Sequence, residues 1–143
     1  MNPYLLTTDI MEAQFGPVHA EVLSQTRRRR EVAVKVRRTG QVLEYAVVSF
    51  DPAGAAAYPA IDRKIRRGSL MGQTFRDAGV PFLREENPPT KVRLSERLRE
   101  LFGASEEHGL RIDATILVGL GRLCYARNHE TYSPAIKWPG QVR

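Results

Sequence analysis

The sequence predicts an α+β fold in which one antiparallel sheet carries helices on one side. Three observations lead there. Strand-like segments follow one another through short hairpin-type turns, which join antiparallel neighbours. Helix-like segments cluster at the start and middle of the chain instead of alternating with strands. LRIDATILV (110–118) alternates Leu110, Ile112, Ala114, Ile116 and Val118 with more polar residues, the pattern of a strand buried on one face. A chain of 143 residues fits one domain, 1–143, able to bury roughly two-thirds of its unfolded surface.

Taken in order, Thr7 or Thr8 caps a short helix, DIMEAQFG, with Ile10, Met11 and Phe15 on its apolar side and Gly16 closing it. Pro17 forces an exit into a strand, VHAEVLSQ (18–25). Two arms rich in β-branched and aromatic residues follow, EVAVKV and VLEYAVVSF, joined through Arg38–Gln41, where Gly40 supplies a positive φ. Asp51-Pro52 ends the second arm, and the alanine-rich stretch to Pro59 is expected to be a loop or loose helical turn. AIDRKIRRG and SLMGQTFRDAG are short helices, the second with Ser69 as N-cap and Gly79 past its end. VPFLREE (80–86) is a strand broken by Pro88-Pro89, and KVRL continues it or leads into the next helix. That helix, SERLRELFG, has Ser95 at its cap and Gly103 at its end. After LRIDATILV, Gly119-Leu120-Gly121 turns the chain and RLCYARNHETY runs back as the last strand. Residues 134–143, with Trp138, form a tail that straps the surface or is disordered.

The first hairpin arm carries the sharpest functional signal. In RRRREVAVKVRR (27–38) side chains alternate faces, so Arg30 falls in phase with Val32, Val34 and Val36 and points to the core. Arg27, Arg29, Lys35 and Arg37 fall on the other, solvated face. A buried arginine needs an anionic partner. That partner is either a protein carboxylate (Glu12, Glu44 or Glu130) or a small anionic ligand. Glu130, on the last strand, shares its parity with Cys124, Ala126, Asn128 and Tyr132, and small residues there leave space beside the sheet. A carboxyl in that gap could bond a ligand hydroxyl or hold a proton near neutral pH; at a fraying strand end it would only salt-bridge an arginine.

Other candidates are accounted for structurally. His129 faces away from Glu130 and belongs to the surface. Cys124 lacks a His–Asx setting and counts as a small buried residue. Gly72 sits in no phosphate-loop pattern. With one cysteine and three scattered histidines, neither a disulfide framework nor a metal site is expected.

Hydrophobic content of 42% and charged content of 27% are those of a globular protein. No apolar run approaches the roughly 20 residues of a membrane span, and MNPYLLTTDI lacks a signal-peptide pattern, so a cytoplasmic protein with no membrane partner is expected. The net charge of +6, 22 basic against 16 acidic residues, is compatible with nucleic-acid binding. No helix-turn-helix, zinc-finger or RNP-type pattern accompanies it, which argues against that partner.

Several segments together resemble the chorismate pyruvate-lyase (4-hydroxybenzoate synthase) family. They are TTDIMEAQFGPVHAEVLSQ, RREVAVKVRRTGQVLEYAVVS, SLMGQTFRDAGVPFLRE and ETYSP, whose order and spacing hold from about Thr7 to Pro134. The resemblance implies a six-stranded antiparallel sheet with helices over a fully enclosed ligand cavity. It implies a cofactor-independent carbon–oxygen lyase that eliminates pyruvate from chorismate to leave 4-hydroxybenzoate or a related aromatic acid. Arg30 would clasp the substrate carboxylate and Glu130 would act at the breaking C–O bond. Tyr45, Asn128 and Met71 would complete the binding set for an aromatic or enolpyruvyl acid. The pattern departs from the family at Ala46-Val47, at Gly119–Arg122 and at the polar run Ala126–His129, which puts the substrate in question more than the fold. Two alternatives therefore accompany it. One is the same scaffold recruited to specialised, secondary metabolism as a cyclase, dehydratase or lyase on another substrate. The other is a non-catalytic effector-binding module like those of GntR-type regulators. A winged-helix domain normally precedes such modules, and only six residues precede Thr7.

Overall fold

The computed structural model describes residues 7–139. A helix, α1 (Thr7–Phe15), leads through Gly16 (φ 87°) into strand β1 (Val18–Gln25). The arginine-rich hairpin is β2 (Arg29–Val36) and β3 (Val42–Phe50). Three short helices follow, α2 (Pro52–Ala57), α3 (Pro59–Arg66) and α4 (Met71–Asp77). Then come β4 (Phe82–Glu86), β5 (Thr90–Arg93), α5 (Glu96–Phe102) and the closing hairpin β6 (His108–Val118) and β7 (Leu123–Tyr132).

The strands form one antiparallel sheet in the order β1-β2-β3-β7-β6-β4, with β5 also paired to β6. The sheet thus has seven strands where six were expected. Pro88-Pro89 splits the strand expected over 80–86 and its KVRL continuation in two, and both pieces pair with β6, Phe82–Glu86 along Ala114–Val118 and Thr90–Arg93 along His108–Arg111.

Helices lie on both faces, which corrects the expectation of one. On the first face, Ile10 and Met11 of α1 pack with Val34, Ile112 and Tyr132, and Ile65 of α3 and Phe75 of α4 pack with Val48, Ile116 and Tyr125. Phe75 meets Tyr125 edge-on with ring centroids 5.0 Å apart. On the opposite face, Phe102, Leu98 and Leu101 of α5 cover Ala33, Val42 and Tyr45. The Ser95 hydroxyl accepts from Leu98 N–H, as the sequence predicts for a cap.

Two local expectations change. The alanine-rich stretch is helical because Asp51 caps it, accepting from Ala53 N–H at 3.0 Å, and Pro52 stands at its first turn. At Gly54 this helix presses so closely on β7 that a Cβ would come within 2.4 Å of the Cys124 carbonyl oxygen. Ser69 is not the cap of α4; Leu70 holds that position without a side-chain bond.

Residues 134–139 fold onto the first face of the sheet, where Ile136 and Trp138 join Ile10, Met11 and Tyr132. Trp138 is buried and meets Tyr132 edge-on at 4.8 Å, while Gln14 joins α1 to this segment by accepting from Lys137 N–H. The last part of the expected tail, 140–143, lies outside the described residues.

Candidate ligand-binding cleft

A cleft of about 80 Å³ lies between the first face of the sheet and the helices α1 and α4. It is open on one side, where an enclosed cavity was expected. Strand register sets its floor. Arg30, Val48 and Asn128 form one cross-strand row, Val32, Ala46 and Glu130 the next, and Val34, Glu44 and Tyr132 a third. Leu70, which precedes α4, Met71 and Gly72 of α4, and Phe82 and Arg84 of β4 complete the wall.

Arg30, Glu130, Asn128 and Met71 all line this cleft, as the sequence predicts. Tyr45 does not. It neighbours Glu44 on β3, so it alternates to the α5 face, where its hydroxyl donates to Glu31 and Arg97 lies over its ring at 5.5 Å.

Glu130 is saturated. Arg84 Nη1 donates to Oε2 at 2.7 Å and Arg84 Nη2 to Oε1, a bidentate fork; Asn128 Nδ2 donates to Oε2 at 3.2 Å and Tyr132 O–H to Oε1 at 2.6 Å. Arg84 Nε also donates to Glu86 at 2.6 Å. Burial alone would lower the Arg84 pKa, but the Glu130 charge and hydrogen bonds overcome it and hold it raised. The Tyr132 hydroxyl is pushed well up, first by burial and then by Glu130. A carboxylate held by a bidentate arginine and two further donors is a fixed group of the cleft.

Arg30 is the opposite. It is 3% exposed, and among the described residues no carboxylate lies within ion-pair distance. One of its Nη atoms donates to the Ile65 carbonyl, and its guanidinium stands 5.6 Å from the Phe50 ring centroid. Among the described residues its Nε has no partner, and neither does Asn128 Oδ1 in the same row. Desolvation lowers the Arg30 pKa, against partial support from Tyr125 and Asp62. None of the three carboxylates that might have closed an internal pair does so. Glu12 accepts from Val18 N–H, Glu130 belongs to Arg84, and Glu44 has no hydrogen bond among the described residues.

Sequence reasoning overlooked Arg84 and the role of Glu44. Both were accessible to parity, since Arg84 is in phase with Phe82, and Glu44 with Ala46, Val48 and Phe50. The Glu44 pKa is raised well above the ordinary carboxylate range, first by burial and then by the nearby Glu130 charge, with Arg84 opposing. Tyr125 escaped parity altogether. A β-bulge between Ile116 and Leu117 leaves it unpaired and turns it to the core, where its hydroxyl donates to Asp62 at 2.6 Å. His129 is exposed and pairs with Asp113 at 3.0 Å. Among the described residues no helix is long and apolar enough to cross a membrane.

No protein-family profile and no curated protein matches the sequence. Solved structures do match. The chain superposes over its whole length, with a TM-score of 0.69 and 14% identity, on 69% of YydK from Bacillus subtilis, a possible transcriptional regulator. It shares a TM-score of 0.63 and 10% identity with the ligand-binding domain of a candidate GntR-family regulator from Bordetella bronchiseptica, over 91% of each chain. The effector domain of PhnF from Mycobacterium smegmatis gives 0.64 and 12%, over 90% of this chain and 88% of that one.

At these identities the likeness establishes the fold, an α+β domain of the kind found in regulator effector modules, whose sheet is chorismate-lyase-like. It overturns the assignment to the chorismate pyruvate-lyase family. The lyase activity, the enzyme class and the biosynthetic setting with 4-hydroxybenzoate as product fall with it, because the matching proteins are regulators and effector domains. The argument against a nucleic-acid partner also loses its support, since the matching proteins are described as transcriptional regulators.

Proposed function

We propose that this chain is a single-domain, non-catalytic effector module that binds a small organic anion in its cleft and acts for a transcriptional regulator. The observation that carries the proposal is Arg30, a buried guanidinium with an unpartnered Nε on the cleft wall. Leaving a charge desolvated and unpaired costs several kcal/mol, whereas a charge-assisted hydrogen bond to an incoming anion returns about 1.5–3 kcal/mol. Asn128 Oδ1, unpartnered across Val48 from Arg30, offers a second contact to a hydroxyl or N–H of the same molecule. The fold supports the same reading, because similar structures are described as ligand-binding and effector domains.

The test is thermal unfolding of the chain against a panel of small carboxylates and phosphate monoesters, repeated with Arg30→Met. At a hundredfold excess over Kd, a ligand of the native state adds about 2.7 kcal/mol of stability. At least one anion is expected to raise Tm in the wild type and lose that effect in the variant. A panel that never stabilises the wild type, or stabilises both proteins alike, would sink the proposal.

A further inference from the structure

The cleft is electrically two-ended. Arg30 stands at one end, and Asp62, the carboxylate whose charge reaches it, is engaged by Arg66 and Tyr125. Four residues along the neighbouring strand stands Glu44, since Arg30 pairs with Val48 in the register and Val34 with Glu44. That offset is about 13 Å of strand. Val32 and Ala46 lie between them on the two strands, so the direct path along the floor is apolar, with Glu130 beside it on β7.

Glu44 is 7% exposed and lines the cleft, and among the described residues its carboxyl makes no hydrogen bond and no ion pair. The charged and titratable groups that face it are Glu130, Arg84 and Tyr132. Arg84 is already consumed by Glu130 and Glu86, and Tyr132 donates to Glu130. Among the buried groups, Glu44 and Glu130 therefore share one guanidinium, which the more exposed Glu86 also engages. Full ionisation would leave one uncompensated negative charge at this end, as Arg30 leaves one positive charge at the other. Both imbalances vanish if one molecule brings an anion to the first end and a cation to the second.

Resting on the effector reading of this cleft, we infer that the ligand is a small bipolar molecule, an anionic group joined by a short apolar span to a protonated amine, with the amine held by Glu44. Without an ammonium beside it, burial raises the Glu44 pKa well above the ordinary carboxylate range and favours the form that keeps its proton. The arriving ammonium takes the place of that proton, which leaves for solvent, so each binding event releases up to one proton and no other group changes charge. Affinity for the amine then rises with pH until Glu44 ionises unaided.

The test uses straight-chain ω-amino acids from β-alanine to 6-aminohexanoate, each paired with the carboxylic acid lacking the amine. Both ends of the amino acids keep their charges between about pH 5.5 and 8. Titration calorimetry of the full chain at pH 6.5, in two buffers of different ionisation enthalpy, reads affinity and proton release together. For the length that fits, the amino acid is expected to bind at least tenfold more tightly than its parent and to release protons that its parent does not. In Glu44→Gln both differences should disappear while affinity for the parent acid stays within about threefold. Comparing 2-aminoethyl phosphate with ethyl phosphate extends the test to a phosphate anion. Equal affinity of amine and parent at every length, absent proton release, or failure of every amine probe to bind would each overturn the inference. The effector reading would survive any of these if another anion still bound in an Arg30-dependent manner.

Discussion

Two arginines line the same cleft, both drawn out of water by strand parity, and their surroundings differ in every other respect. Arg84 is forked onto Glu130 and further bonded to Glu86, with Asn128 and Tyr132 filling the remaining Glu130 positions. Arg30 meets a backbone carbonyl and an aromatic ring, and its Nε meets nothing. A closed network of this kind is architecture, because every charge in it is answered within the chain. An open one is a request for something the chain does not contain. Burial identifies both residues; only the count of satisfied donors separates them.

The sharpest way to break this contrast is to truncate Arg84. Arg84→Met leaves Glu130 buried with its two strongest donors gone, and such a loss costs about 3–5 kcal/mol. Denaturant unfolding should show that drop. Adding Glu130→Gln to it removes the stranded charge, so the double variant should recover part of the loss, a coupling that the four-protein cycle measures directly. Additive losses would mean that the pair is not the unit described here.

Glu44 sharpens the contrast through pH. An acid whose folded pKa lies above its unfolded value favours folding while protonated. Its stability contribution is whole below the unfolded pKa, near 4.5, and is lost as pH rises through the folded value. Each unit of elevation amounts to about 1.4 kcal/mol. Stability should therefore fall from pH 4.5 towards neutrality more steeply in the wild type than in Glu44→Gln, which carries no titrating proton. Parallel stability curves would show that Glu44 is not desolvated as its position implies.

What the sequence disclosed and what it withheld follow from range. Period-two alternation placed Arg30 and Glu130 on the inner face because each strand keeps its own parity, whatever it pairs with. The same rule could have delivered Arg84 and Glu44. It failed for Tyr125, since a bulge adds a residue that parity cannot foresee, whereas Tyr45, placed in the site by the resemblance, lies out of phase with the cleft residues and on the face that parity gives it. That Glu130 pairs with Arg84 and leaves Arg30 open depends on β7 lying between β3 and β6, with β4 beyond. No local pattern encodes that order. The enzyme expectation went astray there: the two groups do line one cleft, but the carboxylate was already taken.

Arg30→Met should then behave unlike Arg84→Met. It removes a buried cation that has no countercharge, at the cost of the bond to the Ile65 carbonyl and the contact with Phe50. These terms oppose each other, so the stability change should stay within about 1 kcal/mol. A loss as large as that of Arg84→Met in the ligand-free protein would place Arg30 in the architecture after all.

The smallest effect belongs to the far face of the sheet. Tyr45 donates to Glu31 there, and that bond, more than the nearby Arg97 and Arg29, holds the Glu31 pKa below its ordinary value. Tyr45→Phe keeps the ring under Leu98 and Leu101 and deletes only the hydroxyl, at a site open enough that the cost should be about 0.5 kcal/mol. The Glu31 carboxyl, followed by NMR titration, should move upward in the variant, and stability should decline slightly more above that pKa than below it. Affinity for any cleft ligand should not change, because the sheet itself stands between the two sites. A ligand-affinity change in Tyr45→Phe as large as that in Arg30→Met would mean that the two faces are coupled and that the cleft does not end at its floor.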